Sequence, residues 1–289
     1  MYKYILLKKT RFLVFIFILM SPTLLYYGVQ KLYSQNTLTH NLKNRHFKNI
    51  TNVHYEESIS FSSAAFYYFY ELGVAAFLQE NYDLSKVRFI GSSSGSFISI
   101  LLACEIPIEK VMKEWIPKVY KVLQNEATGV YFNIIEVMKK EGIKLLKKDS
   151  YKKASGKATL SLTKVNAWQL ISERVSDFSS NQELVEVGFL SAHLPFLANG
   201  NLFSTWNGNT YIDGGFTDYQ PIYDNDTIKV SPYMWSYIWC SQSPLWFFSL
   251  YGDTSEERNW KLYNDGYQDA KNHPEHWQRL ERFRKKLMT

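Results

Sequence analysis

Two short stretches carry residues suited to covalent chemistry. In "VRFIGSSSGSFISILLAC" (Val87 to Cys104) the pentapeptide Gly91-Ser92-Ser93-Ser94-Gly95 fits G-x-S-x-G, the pattern of a nucleophile elbow when a strand precedes it and a helix follows. By composition alone a glycine and serine run is a flexible tether. The flanks argue for the elbow. Val87-Arg88-Phe89-Ile90 is a β-branched and aromatic run of strand type, and Phe97 to Cys104 is an apolar run that suits a buried helix. In an elbow Ser93 stands at the carboxyl end of a strand and points outward, while Gly91 and Gly95 let the backbone turn without clashes. A helix starting near Ser94 aims its free N–H groups and positive end at the same spot.

A serine hydroxyl is a poor nucleophile until a base takes its proton. One candidate base lies in "NTYIDGGFTDYQPIYDNDTIKVSPY" (Asn209 to Tyr233). Thr210-Tyr211-Ile212 reads as a short strand with Asp213 at its end, and Gly214 and Gly215 then permit unusual backbone angles. Taken alone, Asp-Gly is equally the signal of a hairpin turn. His273 and His276 offer the alternative, in the order Ser, Asp, His of an α/β-hydrolase. They sit in a polar, charged stretch with no strand before them, so they read as surface histidines. Asp218 reads as a loop residue.

The elements that must position these groups need a sizeable core, and 289 residues at 46% hydrophobic supply one. Aromatics at 17% fit a protein that handles lipid, and equally an AT-biased genome. The two cysteines, Cys104 and Cys240, lie in apolar runs, which excludes a disulfide framework and a cysteine metal cage. The net charge of +6 is concentrated between Lys139 and Lys157, where eight lysines face only Glu141 and Asp149. Such a block reads as a solvated surface, with anionic headgroups as its functional alternative. No nucleic-acid binding motif accompanies it. Ser180-Asn181-Gln182-Glu183 is a capping box that predicts a helix to about Ser191.

Residues 12–29, "FLVFIFILMSPTLLYYGV", carry no charge and are long enough to cross a bilayer at ~1.5 Å per residue. Lys3, Lys8, Lys9 and Arg11 precede them, so the positive-inside rule makes residues 1–11 a cytoplasmic basic tail. No small-x-small cleavage site follows, which favours a retained single-pass anchor over a cleaved signal peptide. Residues 30–57 read as a linker, 58–232 as the main domain, and 233–289 as an aromatic and basic helical extension. In the extension Trp277, Leu280, Phe283 and Leu287 share one face, with Arg279, Arg282, Arg284, Lys285 and Lys286 opposite. That face docks on the domain or on a membrane surface. "MWSYIWCSQSPLWFFSLY" (Met234 to Tyr251) is core packing or a lipid-docking surface.

GSSSG followed by an apolar helix, then YIDGGFTDYQP running into TIKVSP, resembles the patatin-like phospholipase family, in particular its adipose triglyceride lipase and adiponutrin branch. "SISFSSAAFYYFYELGVAAFL" looks like the family's opening strand and helix, and "ATLSLTKV" with "NQELVEVGFLSAHLPF" like its central segment. The resemblance spans roughly Ser58 to Tyr233. It implies a three-layer α/β/α fold around a central, mostly parallel sheet, with a Ser93 and Asp213 dyad and no histidine. Metal and organic cofactor are absent from that mechanism, and the implied substrates are lipid acyl esters, phospholipid or acylglycerol, at a membrane or lipid surface.

The sequence departs from the family at the glycine-rich loop that supplies oxyanion donors. Ser63, Ala65 and Tyr68 stand at its three glycine positions. If one of them requires φ > 0, a Cβ there costs roughly 1–2 kcal/mol. The loop Ser63-Ala64-Ala65 either still presents N–H groups from Ala64 or Ala65, or the domain is a catalytically impaired lipid-binding protein. The family commonly works from the cytosolic side, whereas the charge rule carries the domain across the membrane. The sequons Asn49-Ile50-Thr51 and Asn225-Asp226-Thr227 are usable only in a lumenal domain.

Overall fold

The computed structural model describes residues 54–125, 134–166, 169–195, 200–235 and 255–286. The basic tail, the 12–29 anchor, most of the linker, the Asn49 sequon, Cys240 and most of 234–251 lie outside the described residues. Among the described residues no helix is long and apolar enough to cross a membrane.

Seven strands form one sheet: β1 (Glu57–Phe61), β2 (Val87–Ser92), β3 (Ala158–Asn166), β4 (Gln169–Val175), β5 (Ser204–Trp206), β6 (Asn209–Ile212) and β7 (Ile228–Val230). Their order is β5-β6-β3-β2-β1-β7, with β4 also paired to β3. β1 pairs in parallel with β2 and β7, and β2 with β3. β4 and β6 run antiparallel to β3, and β5 to β6. The sheet is therefore mixed, which corrects the expectation of a mostly parallel one. One of the antiparallel pairs, β5 with β6, arises from local turn chemistry. Asn207 (φ 48°) and Gly208 (φ 72°) form the two-residue loop between β5 and β6, with positive φ at both positions as a type I′ hairpin requires. "WNGN" carries that signal in the sequence.

β1 is buried throughout and β2 nearly so, as strands are when both faces of a sheet are covered. The cover includes α1 (Tyr68–Asn81), α2 (Ser94–Ala103), α6 (Asn181–Ser191) and α7 (Glu256–Asn272). Between α2 and β3 come a turn at Ile108–Lys110, a π-turn at Val111–Trp115, α3 (Ile116–Asn125), α4 (Ile134–Leu145) and α5 (Ser150–Ala154). The capping box starts α6 as its sequence predicts, with Ser180 Oγ accepting the Glu183 N–H. The Glu183 carboxylate reaches back to Ser179 rather than to the cap residue itself.

α7 crosses α1 on glycines. A Cβ at Gly73 would lie 1.9 Å from the Tyr263 carbonyl oxygen, and one at Gly266 2.0 Å from that of Tyr70. The closing 3-10 helix (Pro274–Phe283) buries Trp277 and Leu280 completely. Its Arg279 and Arg282 clasp the buried Glu57 carboxylate at 2.9 and 2.7 Å. The apolar face of this extension thus packs on the domain, and two of its arginines neutralise a carboxylate at the foot of β1. The lysine block is mostly a solvated surface with short-range pairs, Lys139 to Glu136 and Lys144 to Glu141 among them, each worth little when exposed. Lys157 departs from it, being buried, and burial holds its ammonium below the ordinary lysine value. Cys104 is buried, and burial pushes its thiol up to about 12. Trp277→Ala removes a fully buried indole, and we expect it to cost about 3–5 kcal/mol in denaturant unfolding; a midpoint equal to that of the parent would show that the extension does not support the fold.

Candidate active site

The site forms where two strands end against a third. β4 pairs with residues 160–166 of β3 along one edge. β2 pairs with residues 158–161 and β6 with residues 163–165, so these two share the opposite edge of β3. β2 runs parallel to β3 and stops with Ser92 beside Ser161, while β6 runs antiparallel and stops with Ile212 beside Thr163. Their carboxyl ends meet head to head. The next residues are Ser93 and Asp213, and Ser93 Oγ donates to Asp213 Oδ2 at 2.5 Å across 120 residues of sequence.

Ser93 has φ 53° and ψ −126°, a sparsely populated conformation that costs roughly 1–3 kcal/mol and persists only when its surroundings over-determine it. A hydrogen-bond network does so here. The Ser93 N–H donates to Ser191 Oγ at 2.9 Å, and the Ser191 hydroxyl donates to the Ser161 carbonyl at 2.7 Å. Ser96 Oγ lies 2.7 Å from Ser191 Oγ, and the Ser96 N–H donates to the Ser93 carbonyl. The elbow is also too tight for a side chain, since a Cβ on Gly91 would sit 2.2 Å from the Gly95 carbonyl oxygen and one on Gly95 2.4 Å from that of Phe61.

The Asp213 N–H donates to the His193 carbonyl at 2.8 Å, and Asp213 Oδ1 accepts the Gly215 N–H at 2.8 Å. Burial pushes the Asp213 carboxyl up to about 7, against the opposing pull of the Ser93 and Gly215 hydrogen bonds. A carboxyl poised there exchanges protons at neutral pH. Gly214 and Gly215 are needed for space rather than for unusual angles: a Cβ would lie 2.0 Å from the Ser161 carbonyl oxygen at the first and 2.5 Å from Ser63 Oγ at the second, and neither glycine has positive φ.

In the altered loop, the residue forced to positive φ is Ala65, at 49°. The Ala64 N–H is already spent on Ser94 Oγ at 2.9 Å, and that of Ser63 on the Tyr219 carbonyl. Of the expected donors, the Ala65 N–H is the one with no hydrogen-bond partner among the described residues. The Ser63 hydroxyl is buried without a hydrogen-bond partner among the described residues. Beneath the loop, Glu71 Oε1 accepts both the N–H and the hydroxyl of Ser62. Burial raises the Glu71 carboxyl well above its ordinary value.

The histidines stand elsewhere. His273 Nδ1 bonds Glu275 and His276 Nε2 bonds the Lys229 carbonyl, while Trp235 stacks on the His273 ring. Neither hydrogen-bonds Ser93 or Asp213. Asp218 is structural, accepting from Arg174 at 2.8 Å and from Ser161 Oγ at 3.0 Å. Among the described residues no group of three His, Cys, Asp or Glu could hold a metal. Sequence reasoning missed Ser191, Glu71 and His193. Glu71 alone left a signal, as the one acid in the apolar run "FYYFYELGVAAFL"; His193 contributes through its backbone, and nothing in its type foretells that.

Two outcomes follow from this geometry. Ala65→Gly relieves the positive φ, and we expect it to leave stability level or raise it by up to about 1 kcal/mol despite the added freedom of the unfolded chain; a loss in midpoint at constant m would show the Cβ to be useful. Asp213 holds its proton to about 7 when folded against 3.8 when unfolded, so the unfolded state loses its proton first and stability falls as pH rises through that window. Asp213→Asn should match the parent near pH 4 and become the more stable protein by pH 8, read from melting temperatures; parallel curves would contradict the raised carboxyl.

Comparison with known proteins adds the family. The sequence profile described as Patatin-like phospholipase matches residues 59–226. The chain is 33% identical over 184 residues to the mouse omega-hydroxyceramide transacylase, covering 61% of this chain and 30% of that protein. It is 30% identical to the mouse 1-acylglycerol-3-phosphate O-acyltransferase Pnpla3 (61% and 43% covered) and 28% identical to the human patatin-like phospholipase domain-containing protein 2 (61% and 36%). The chain thus spans less than half the length of these relatives. The matched segment runs from β1 to the turn before β7 and contains both Ser93 and Asp213, and the chain belongs to the patatin-like phospholipase family.

Proposed function

We propose that the chain hydrolyses lipid acyl esters through a Ser93 and Asp213 dyad, and that residues 12–29 anchor it to the membrane whose lipids it meets. The observation that carries the reading is the 2.5 Å hydrogen bond between Ser93 Oγ and a carboxyl raised to about 7. Asp213 takes the Ser93 proton as Oγ attacks the ester carbonyl, and the Ala65 N–H and the positive end of α2 stabilise the oxyanion. Collapse of the tetrahedral intermediate expels the alcohol, which receives the proton from Asp213. Water then attacks the acyl-enzyme, giving its proton to Asp213, and as the second tetrahedral intermediate collapses to release the fatty acid Asp213 returns that proton to Ser93 Oγ.

An alcohol in place of water would turn the same acyl-enzyme into an acyl-transfer catalyst, and two of the relatives carry transacylase and acyltransferase names. The altered loop supports a third reading. One oxyanion donor is worth about 3 kcal/mol, and with the Ala64 N–H spent an impaired, lipid-binding protein is the alternative to a working enzyme.

The full chain in detergent micelles should release fatty acid from short and long acyl esters. Ser93→Ala and Asp213→Asn should each lower kcat by at least about 10³-fold, and kcat/KM should rise through a single pKa near 7, because only the Asp213 anion is the base. Turnover that survives both substitutions would reject the dyad; a folded parent inert toward both esters would leave lipid binding as the function. A glycan on the exposed Asn225 in a eukaryotic host would support the lumenal orientation.

A further inference from the structure

Beside the elbow lies an apolar cavity of about 170 Å³ lined in part by Ser94, which follows the nucleophile, and by Ala65, which carries the free loop N–H. We propose that it takes one acyl chain of the ester, with the carbonyl at Ser93, and that Gly142 sets the chain length admitted. The proposal rests on Ser93 being the acylated residue.

The cavity is built by helix faces. Ser94, Phe97 and Leu101 line it from α2, and their spacing keeps them on one face of the helix over about 10 Å of its axis. It therefore runs from the elbow along the helix that the elbow starts. The π-turn and α3 add Trp115 and Val119, four residues apart, and α6 adds Val185 and Phe189 at the same interval. The Phe97 and Phe189 rings meet at 4.8 Å between centroids, closing one side. No charged side chain lines the space among the described residues, so a phosphate or other ionic headgroup would be desolvated there without a partner. A hydrocarbon chain is the part of a lipid ester that gains by entering.

Gly142 of α4 is the open point in the wall. A Cβ there would meet only Val185 Cγ1, at 3.9 Å, whereas a Cβ at Gly188 would meet the Ile100 side chain at 3.0 Å. A glycine in a helix interior lowers helix propensity by about 1 kcal/mol relative to alanine, and here no close approach of backbone requires it. What its absent side chain leaves is cavity.

The test is the ratio of kcat/KM for dodecanoyl over butanoyl p-nitrophenyl ester, measured on the full chain. Gly142→Leu, a change that favours the helix, should lower that ratio about tenfold or more. Met138→Ala, on the same stripe of α4, should raise it. An unchanged ratio in a folded Gly142→Leu protein that still cleaves the butanoyl ester overturns the pocket and leaves the dyad standing. A parent inert toward both esters fails the hydrolase reading instead, and the pocket is then judged by fluorescence titration with dansyl-labelled undecanoic acid. One saturable site weakened about tenfold by Gly142→Leu upholds the pocket; no binding, or binding indifferent to the substitution, overturns it.

Discussion

The Ser93 Oγ to Asp213 Oδ2 hydrogen bond depends on one edge of one strand. β3 is shared by β2 from below and β6 from above, and the space between their ends is where both side chains fall. That arrangement requires a mixed sheet, because two strands can present carboxyl ends to each other on one edge only if they run in opposite directions. The Asn207-Gly208 hairpin reverses the chain between β5 and β6, and β6 pairs antiparallel with β3. The departure from a mostly parallel sheet is thus the feature that builds the site.

Holding the two groups there strains the chain. Ser93 occupies a conformation that residues with a Cβ avoid, and what retains it is a set of buried donors and acceptors with few alternatives. Ser191 Oγ takes the Ser93 N–H and gives its own proton to the Ser161 carbonyl, tying elbow, α6 and β3 together through one hydroxyl. Asp213 is tied through backbone to His193, just beyond the end of the same helix. α6 and the residue just beyond it therefore hold both partners of the pair through hydrogen bonds. The same burial also raises the Asp213 carboxyl to about 7.

The loop facing them shows how a family scaffold tolerates lost glycines. Where a close approach leaves no room, as at Gly91, Gly95, Gly214 and Gly215, glycine stays. Where the demand is only on φ, Ala65 meets it at 49° with a Cβ in place. Steric exclusion at 2.0–2.5 Å from backbone or side-chain atoms has no cheap solution, whereas a left-handed alanine costs only about 1–2 kcal/mol. Ser62 and the buried Glu71 brace the strained segment from below.

The sequence by itself determined the local facts. The strand, the GSSSG elbow and the helix after it, the capped helix at Ser180, and a carboxylate at the end of a short strand are all written in neighbouring residues, since each rests on periodicity or turn chemistry within one element. Resemblance in those same segments pointed to the family and singled out Ser93 and Asp213. Tertiary structure alone decided that the two meet, because strand register along β3 is a matter of pairing between segments 120 residues apart. It also decided which donors the altered loop has already spent, why Ser191 and Glu71 matter, and that Trp277 belongs to the core. Burial and hydrogen-bond partnership are properties of the assembled neighbourhood, and apart from Glu71, the one acid in an apolar run, the residue types did not announce them.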